Sequence, residues 1–145
     1  MPHVMDVPTI ESVMTRAPRV VQGSEDSMTA RAMMEQHGVR HLPVVHEGAL
    51  FGILSERDVR GARALLDSTR GELGPPVLAL CSRDPLVVLE TDPIDEVAIQ
   101  MANRRVGTAL VVEGERLVGI VTTVDLCREL ARIVGRLRAS SRAFH

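Results

Sequence analysis

Aromatic residues and cysteines are nearly absent from this sequence. It has no tryptophan or tyrosine, and its only phenylalanines are Phe51 and Phe144, so a flat ligand would have to lie between aliphatic side chains. Cys81 and Cys127 are too few for a disulfide framework, and their spacing fits no zinc motif. We expect both to be small, buried or half-buried residues in a reducing compartment.

Long apolar runs and a strong net charge are absent as well. No run approaches the ~20 residues of a membrane span, and residues 1–10 lack the basic start and apolar centre of a secretion signal. The formal net charge of −2 gives no reason to expect nucleic acid or an anionic membrane as the main partner. We therefore expect a cytoplasmic protein.

An internal repeat organises the chain. Residues 17–59 align without gaps on residues 84–126, so each residue has a counterpart 67 positions later. The identities fall at apolar and turn positions, among them Pro18 on Pro85, Met34 on Met101, Val39 on Val106, Gly52 on Gly119 and Asp58 on Asp125. This pattern predicts two copies of one fold.

Each copy is predicted to have the order β-α-β-β-α. Short β-branched runs predict a first strand, and Ser24 and Thr91 are the predicted N-caps of the next helix. One copy cannot bury both helix faces alone. We therefore predict an α/β (α+β) fold of two pseudo-symmetric repeats packed sheet to sheet. The predicted boundaries are 9–66 and 77–137 for the repeats, 67–76 for a linker and 138–145 for a fraying tail.

Two strand-to-helix junctions share one pattern, a hydroxyl residue followed three positions later by an aspartate. They are Ser55 with Asp58 and Thr122 with Asp125. One interpretation is a capping box, in which the acid bonds back to the N-cap backbone. The other is a nucleoside site, in which the carboxylate accepts from ribose hydroxyls and the helix start favours a phosphate. The pattern alone leaves both open.

Further residues around the junctions fit the nucleoside interpretation. Gly52 and Gly119 would let a ligand approach the strand backbone closely. Nearby cations could complete a phosphate site: Arg40, His41, Arg57, Arg60, Arg104 and Arg105. No nucleophile elbow, P-loop or dinucleotide fingerprint occurs, and no histidine pair indicates a metal. We therefore expect neither catalysis nor a bound metal.

The last helix has an apolar face and a basic face. Leu126, Leu130 and Ile133 lie on the first, and Arg128, Arg132 and Arg136 lie on the second. Binding to a membrane or nucleic acid through this helix is one interpretation, and a packed helix with a solvated side is the other. Among the binding roles, which are exceptions to the packed helix, a contact between two copies of the chain is better motivated than a membrane or nucleic acid.

Taken in order, these features resemble a pair of CBS (cystathionine-β-synthase) domains, the Bateman module. The resemblance extends from about Val13 to Arg132 and is carried by residues 13–15, residues 38–45 and the two junctions. It implies a stand-alone regulatory module that binds AMP, ADP, ATP or S-adenosylmethionine in a cleft between the repeats.

The resemblance also implies which residues contact the ligand. Asp58 and Asp125 would hold the ribose, helped by Ser55 and Thr122. One pocket would combine Thr15, Pro18, Val39 and Arg40 with Ile120, Thr122 and Asp125. Its mate would combine Ser82, Pro85, Val106 and Gly107 with Ile53, Ser55 and Asp58. Thr108 stands where the first repeat has His41, so the two pockets should differ.

These expectations describe a non-catalytic sensor that needs no cofactor apart from its regulatory ligand. We expect a cytoplasmic homodimer that acts on a partner protein through the relative orientation of its repeats. The alternative is a constitutive dimerisation or scaffold domain with empty clefts, in which Asp58 and Asp125 serve only as caps.

Overall fold

The computed structural model describes residues 6–66 and 74–143. The chain divides into a first unit, Ala17–Pro85 with Gly114–Val118, and a second unit, Met1–Arg16, Leu86–Glu113 and Gly119–His145. A 3-10 turn at Ile10–Ser12 precedes the regular elements. In chain order these are β1 (Thr15–Arg16), β2 (Val21–Gln22), α1 (Ser27–His37), β3 (His41–His46), β4 (Ala49–Ser55), α2 (Glu56–Leu66), α3 (Val77–Leu80), β5 (Leu86–Leu89), α4 (Ile94–Arg104), β6 (Thr108–Glu113), β7 (Arg116–Thr122) and α5 (Thr123–Ala143).

The first unit contains a three-stranded sheet in the order β2-β3-β4. β2 runs parallel to β3, and β3 forms an antiparallel hairpin with β4 in which His41 faces Ser55. The helix after β4 has the predicted bounds, Glu56–Leu66. Apolar residues from the sheet and from helices α1, α2 and α3 form one buried cluster: Val21, Ala30, Met34, Leu42, Val44, Leu54, Val59 and Val77.

The second unit contains a four-stranded sheet in the order β1-β7-β6-β5, and β5 runs parallel to β6. Ile94, Val97 and Met101 of α4 are buried, as the predicted apolar helical face requires. The predicted order β-α-β-β-α is therefore confirmed in both copies. The last helix extends to Ala143, whereas the sequence predicted a helix ending at Leu137 and a fraying tail over residues 138–145.

The predicted helix N-caps are wrong. Asp26, not Ser24, caps α1, and its carboxylate accepts from the Met28 amide at 2.7 Å. The amide of Ser27 donates to the carbonyl of Pro75, which fixes where the helix begins. In the second unit the N-cap position falls on Pro93 rather than Thr91.

Residues 10–16 and 77–83, the lead-in segments, precede the aligned copies 17–59 and 84–126, and each pairs with a strand of the other copy. β1 lies in the first lead-in segment, and Thr15 pairs antiparallel with Ile120 of β7. In the first unit, Ser82 makes the equivalent bridge to Ile53 of β4, with N···O distances of 2.9 and 3.0 Å. Each unit is thus completed by a segment from the other half of the chain.

Candidate functional site

The first junction forms where β4 ends and α2 begins. Oδ2 of Asp58 accepts from the Ser55 amide at 2.9 Å, and the Asp58 amide donates to the Ser55 hydroxyl at 3.1 Å. These reciprocal bonds are a capping box, which satisfies amide groups at the start of the helix. Both side chains are half-buried, so they remain accessible from one side.

The second junction, between β7 and α5, repeats this geometry. Oδ2 of Asp125 accepts from the Thr122 amide at 2.8 Å and lies 3.1 Å from the Thr122 hydroxyl. The Asp125 amide lies 3.4 Å from that hydroxyl. The amide of Thr123 donates to the carbonyl of Gly107 at 3.0 Å. The second junction is therefore anchored to the loop before β6.

Both aspartates have a structural role. All the hydrogen bonds described above for the two carboxylates use Oδ2, which leaves Oδ1 on each as the oxygen that could accept from a ligand. Of the two interpretations of the pattern, the capping box is thus formed in this structure. A ribose contact through Oδ1 stays a prediction.

The two glycines do not leave the strand backbone open. A Cβ on Gly52 would overlap the carbonyl oxygen of Ser82, and a Cβ on Gly119 would lie 2.6 Å from Sδ of Met14 and 3.1 Å from the carbonyl oxygen of Thr15. The interpretation that these glycines admit a ligand is therefore wrong, because the groups that approach them belong to the lead-in segments.

The other residues that were predicted to line the two pockets are divided between the two units. Thr15 and Ile120 are paired in one unit, and Ser82 and Ile53 are paired in the other. The remaining members lie in loops or at element ends, with Pro18, Pro85 and Val106 half-buried and Val39 and Gly107 exposed. Their roles in ligand binding stay predictions.

The predicted phosphate cations are mostly on the surface. The Arg40 side chain is 84% exposed, and its Nε lies 3.9 Å from a Glu56 carboxylate oxygen. Arg57 is exposed near the start of α2, and Arg105 is exposed as the left-handed C-cap of α4. Arg104 ends the same helix. Arg60 forms an ion pair with Glu56 at 3.1 Å.

His41 is half-buried at the start of β3. Burial lowers the pKa of His41 from its ordinary value of 6.5, while the charge of Asp58 raises it and the charge of Arg40 lowers it further. The imidazole is therefore neutral at pH 7. A neutral His41 can contact a phosphate only through one N–H donor.

This lowered pKa predicts how stability depends on pH. The unfolded chain takes up a proton at His41 near pH 6.5, whereas the folded protein does so only at lower pH. The stabilisation is therefore complete above the unfolded pKa and is lost as pH falls through the folded pKa. We expect His41→Gln to remove this part of the acid sensitivity, as measured by urea unfolding between pH 7.5 and pH 5. Parallel stability profiles for the two proteins would contradict it.

Sequence reasoning missed a charged cleft beside the first junction. This cleft has a volume of about 230 Å³ and is lined by Arg31 and Glu35 of α1, by Arg40 and by Glu56 of α2, with Met34, Gly38 and Val39 between them. The available signal was the alignment of the repeats, because the four charged positions have uncharged counterparts in the second copy.

The described part of the chain offers neither a metal cluster nor a membrane-spanning helix. Within residues 6–66 and 74–143, no three His, Cys, Asp or Glu side chains are grouped so that they could hold a metal ion. No helix in that part of the chain is both long and apolar enough to cross a membrane. Cys81 is half-buried as expected, but the expectation is wrong for Cys127, which is exposed on α5. Burial raises the pKa of the Cys81 thiol, so this cysteine is protonated at neutral pH.

Comparison with known proteins identifies relatives for nearly the whole chain. Hypoxic response protein 1 of Mycobacterium tuberculosis is 33% identical over 116 residues, which cover 74% of this chain and 76% of that protein. L-aspartate semialdehyde sulfurtransferase of Methanocaldococcus jannaschii is 29% identical over 129 residues, 88% of this chain. This chain spans only 24% of the length of that enzyme.

A solved structure shares the fold. The crystal structure of a CBS domain pair in complex with 5′-methylthioadenosine and S-adenosyl-L-methionine is 27% identical to this chain. It aligns with a TM-score of 0.76 and covers 86% of this chain and 97% of the solved one. The CBS domain family model matches residues 10–65 and again residues 77–132. The chain therefore belongs to the CBS domain family and carries two CBS domains in tandem.

Proposed function

We propose that this protein is a non-catalytic regulatory module whose two junctions bind the ribose of adenosine-containing ligands, namely AMP, ADP, ATP or S-adenosylmethionine. The observation that carries the proposal is the matched pair of half-buried aspartates, each held in place through Oδ2, with no hydrogen bond to Oδ1 from the residues that the structure describes. The related CBS domain pair that binds 5′-methylthioadenosine and S-adenosyl-L-methionine supports the same class of ligand.

The capping bonds of Asp58 and Asp125 would also favour ribose binding. A capping box fixes the carboxylate rotamer before any ligand arrives, so little side-chain entropy is lost on binding. Ribose hydroxyls would donate to Oδ1, and the hydroxyl of Ser55 or Thr122 would contribute a further contact. A ligand that favours one arrangement of the protein over another would then shift its population toward that arrangement.

Thermal unfolding with AMP, ATP and S-adenosylmethionine tests the proposal. A ligand present at 100 times its dissociation constant should stabilise the protein by about 2.7 kcal/mol, which raises the melting temperature by several degrees. Isothermal titration should then show at least tenfold weaker binding in the Asp58→Asn, Asp125→Asn double variant, because charge-assisted hydrogen bonds contribute about 1.5–3 kcal/mol.

Asparagine is the better substitution here because its amide oxygen can still accept from the Ser55 or Thr122 amide and keep the cap. Asp95→Asn is the matched control, since Asp95 is an exposed acid in the first turn of α4. Unchanged ligand affinity in the double variant would show that the ribose assignment is wrong. If no adenosyl compound stabilises the protein, the constitutive scaffold is favoured. In that case the capping bonds alone account for the two aspartates.

We propose in addition that the module acts in the cytoplasm as a homodimer that regulates a partner protein. In support of self-association, α5 exposes Leu130, Val134 and Leu137, at 63%, 39% and 55% of their surfaces, on one side of the helix. An apolar stripe of this kind is usually covered by another surface. Sedimentation equilibrium of the purified chain distinguishes a dimer from a monomer.

A further inference from the structure

The charged cleft of the first unit carries two charges of each sign. The guanidinium of Arg31 lies 3.4 Å from a Glu35 oxygen, and that of Arg40 lies 3.9 Å from a Glu56 oxygen. These distances exceed the 2.7–2.9 Å typical of a charge-assisted hydrogen bond. Glu56 also accepts from Arg60 at 3.1 Å through Oε1, so its Oε2 is the oxygen nearer Arg40. Arg31, Glu35 and Arg40 keep donors or acceptors that a ligand could use.

The fold does not require these charges. At the corresponding positions the second repeat has Ala98, Ala102, Gly107 and Thr123 in place of Arg31, Glu35, Arg40 and Glu56. The apolar floor is the same in both copies, because Met34 and Val39 correspond to Met101 and Val106. The second unit forms its helix, loop and strand without any of the four charges. These four charges are thus specific to the first repeat, although Gly38 of the cleft corresponds to Arg105 in the second.

The arrangement of charges selects one ligand chemistry. A phosphate or other pure anion would meet the carboxylates of Glu35 and Glu56, and a simple cation would meet the guanidinium groups of Arg31 and Arg40. A zwitterion satisfies both, with its carboxylate on the arginines and its ammonium on the glutamates. A volume of about 230 Å³ is below that of pockets that enclose a drug-sized molecule and suits a head group.

We propose that the charged cleft is a binding subsite for the zwitterionic head group of an α-amino acid. The cleft borders the first junction, because Glu56 directly follows Ser55 and its amide donates to the carbonyl of Arg40 at 2.8 Å. The head group can therefore be that of a free amino acid or that of an adenosyl ligand bound beside the cleft. The second source rests on the proposed function, and the first does not.

Three probes separate these sources. S-adenosylhomocysteine and 5′-methylthioadenosine share the thioadenosine part, but only the first carries an α-amino-acid group, and free methionine carries that group without adenosine. We expect isothermal titration to show S-adenosylhomocysteine binding at least tenfold more tightly than 5′-methylthioadenosine. In the Arg31→Ala, Glu35→Ala double variant this preference should disappear, while the affinity for 5′-methylthioadenosine stays within about twofold.

The double variant should fold, because it introduces the residues that the second repeat has at these positions and alanine is the best helix former. The matched control is Glu115→Ala with Arg116→Ala, which removes one exposed charge of each sign at a hairpin. If methionine binds to the unchanged protein and not to the double variant, the subsite is supported and its ligand is a free amino acid.

The subsite is overturned if S-adenosylhomocysteine has no advantage and methionine does not bind, or if the double variant keeps the preference. Binding of 5′-methylthioadenosine reports separately on the proposed function. If that compound binds without any amino-acid preference, the subsite fails and the adenosyl site stands. If methionine alone binds, and only to a protein with an intact cleft, the adenosyl site fails and the subsite stands.

Discussion

Replacing Gly52 with alanine should destabilise the protein by about 3 kcal/mol. The new methyl group would overlap the carbonyl oxygen of Ser82, a backbone atom that also accepts a hydrogen bond from the Ile53 amide at 3.0 Å. Relief of the overlap has to break this bridge or bend β4. Overpacking of this kind costs about 1–3 kcal/mol, and the lost hydrogen bonds add about 1 kcal/mol each.

Urea unfolding measures this effect, and two other glycines serve as comparisons. Gly119→Ala should cost less, since the nearest atom is the flexible Met14 sulfur. Gly135→Ala should stabilise the protein by about 0.5–1 kcal/mol, because Gly135 lies inside α5 with nothing within 4 Å of the new Cβ. A Gly52→Ala protein as stable as the wild type would mean that Ser82 does not lie against β4.

Ile10→Ala should destabilise the protein by about 3 kcal/mol. Ile10 is 0% exposed, and truncation of a buried isoleucine leaves a cavity that costs about 2–5 kcal/mol. The segment is also tied down by its backbone, since the amides of Ile10 and Glu11 donate to the carbonyls of Asp92 and Glu90. The cavity therefore cannot close by simple movement of a loose end.

Val7→Ala is the matched control, because Val7 is 58% exposed in the same segment. Its effect on the free energy of unfolding should be below about 0.5 kcal/mol. Equal effects of the two substitutions, measured by urea unfolding at one pH, would show that the N-terminal segment does not belong to the second unit.

The local order of elements could be predicted from the sequence because its causes are local. Alternating apolar residues and tight turns determine the hairpins, and Ser55 and Asp58 mark the start of α2 at Glu56. The cap of α1 was missed because Ser24 and Asp26 are both suitable cap residues two positions apart. A contact with Pro75, almost fifty residues later, decides between them.

The pairing of the lead-in segments could not be predicted in this way. Thr15 and Ile120 lie in distant parts of the chain, and no periodicity connects them. The charged cleft also depends on tertiary folding, because Arg31, Arg40 and Glu56 come from a helix, a loop and another helix. Gly52 was predicted to let a ligand approach the strand, whereas the group that lies against it is the carbonyl of Ser82.

The pairing of β1 with β7 sets an order of events during translation. The sheet β2-β3-β4 and its bridge to Ser82 lie within Ala17–Pro85, so this part can form while the ribosome is still making the second half. The N-terminal strand is synthesised first but waits for Ile120, about a hundred residues later. At roughly 5–20 residues per second that delay is about 5–20 s, during which β1 lacks the strand with which it pairs in the folded protein.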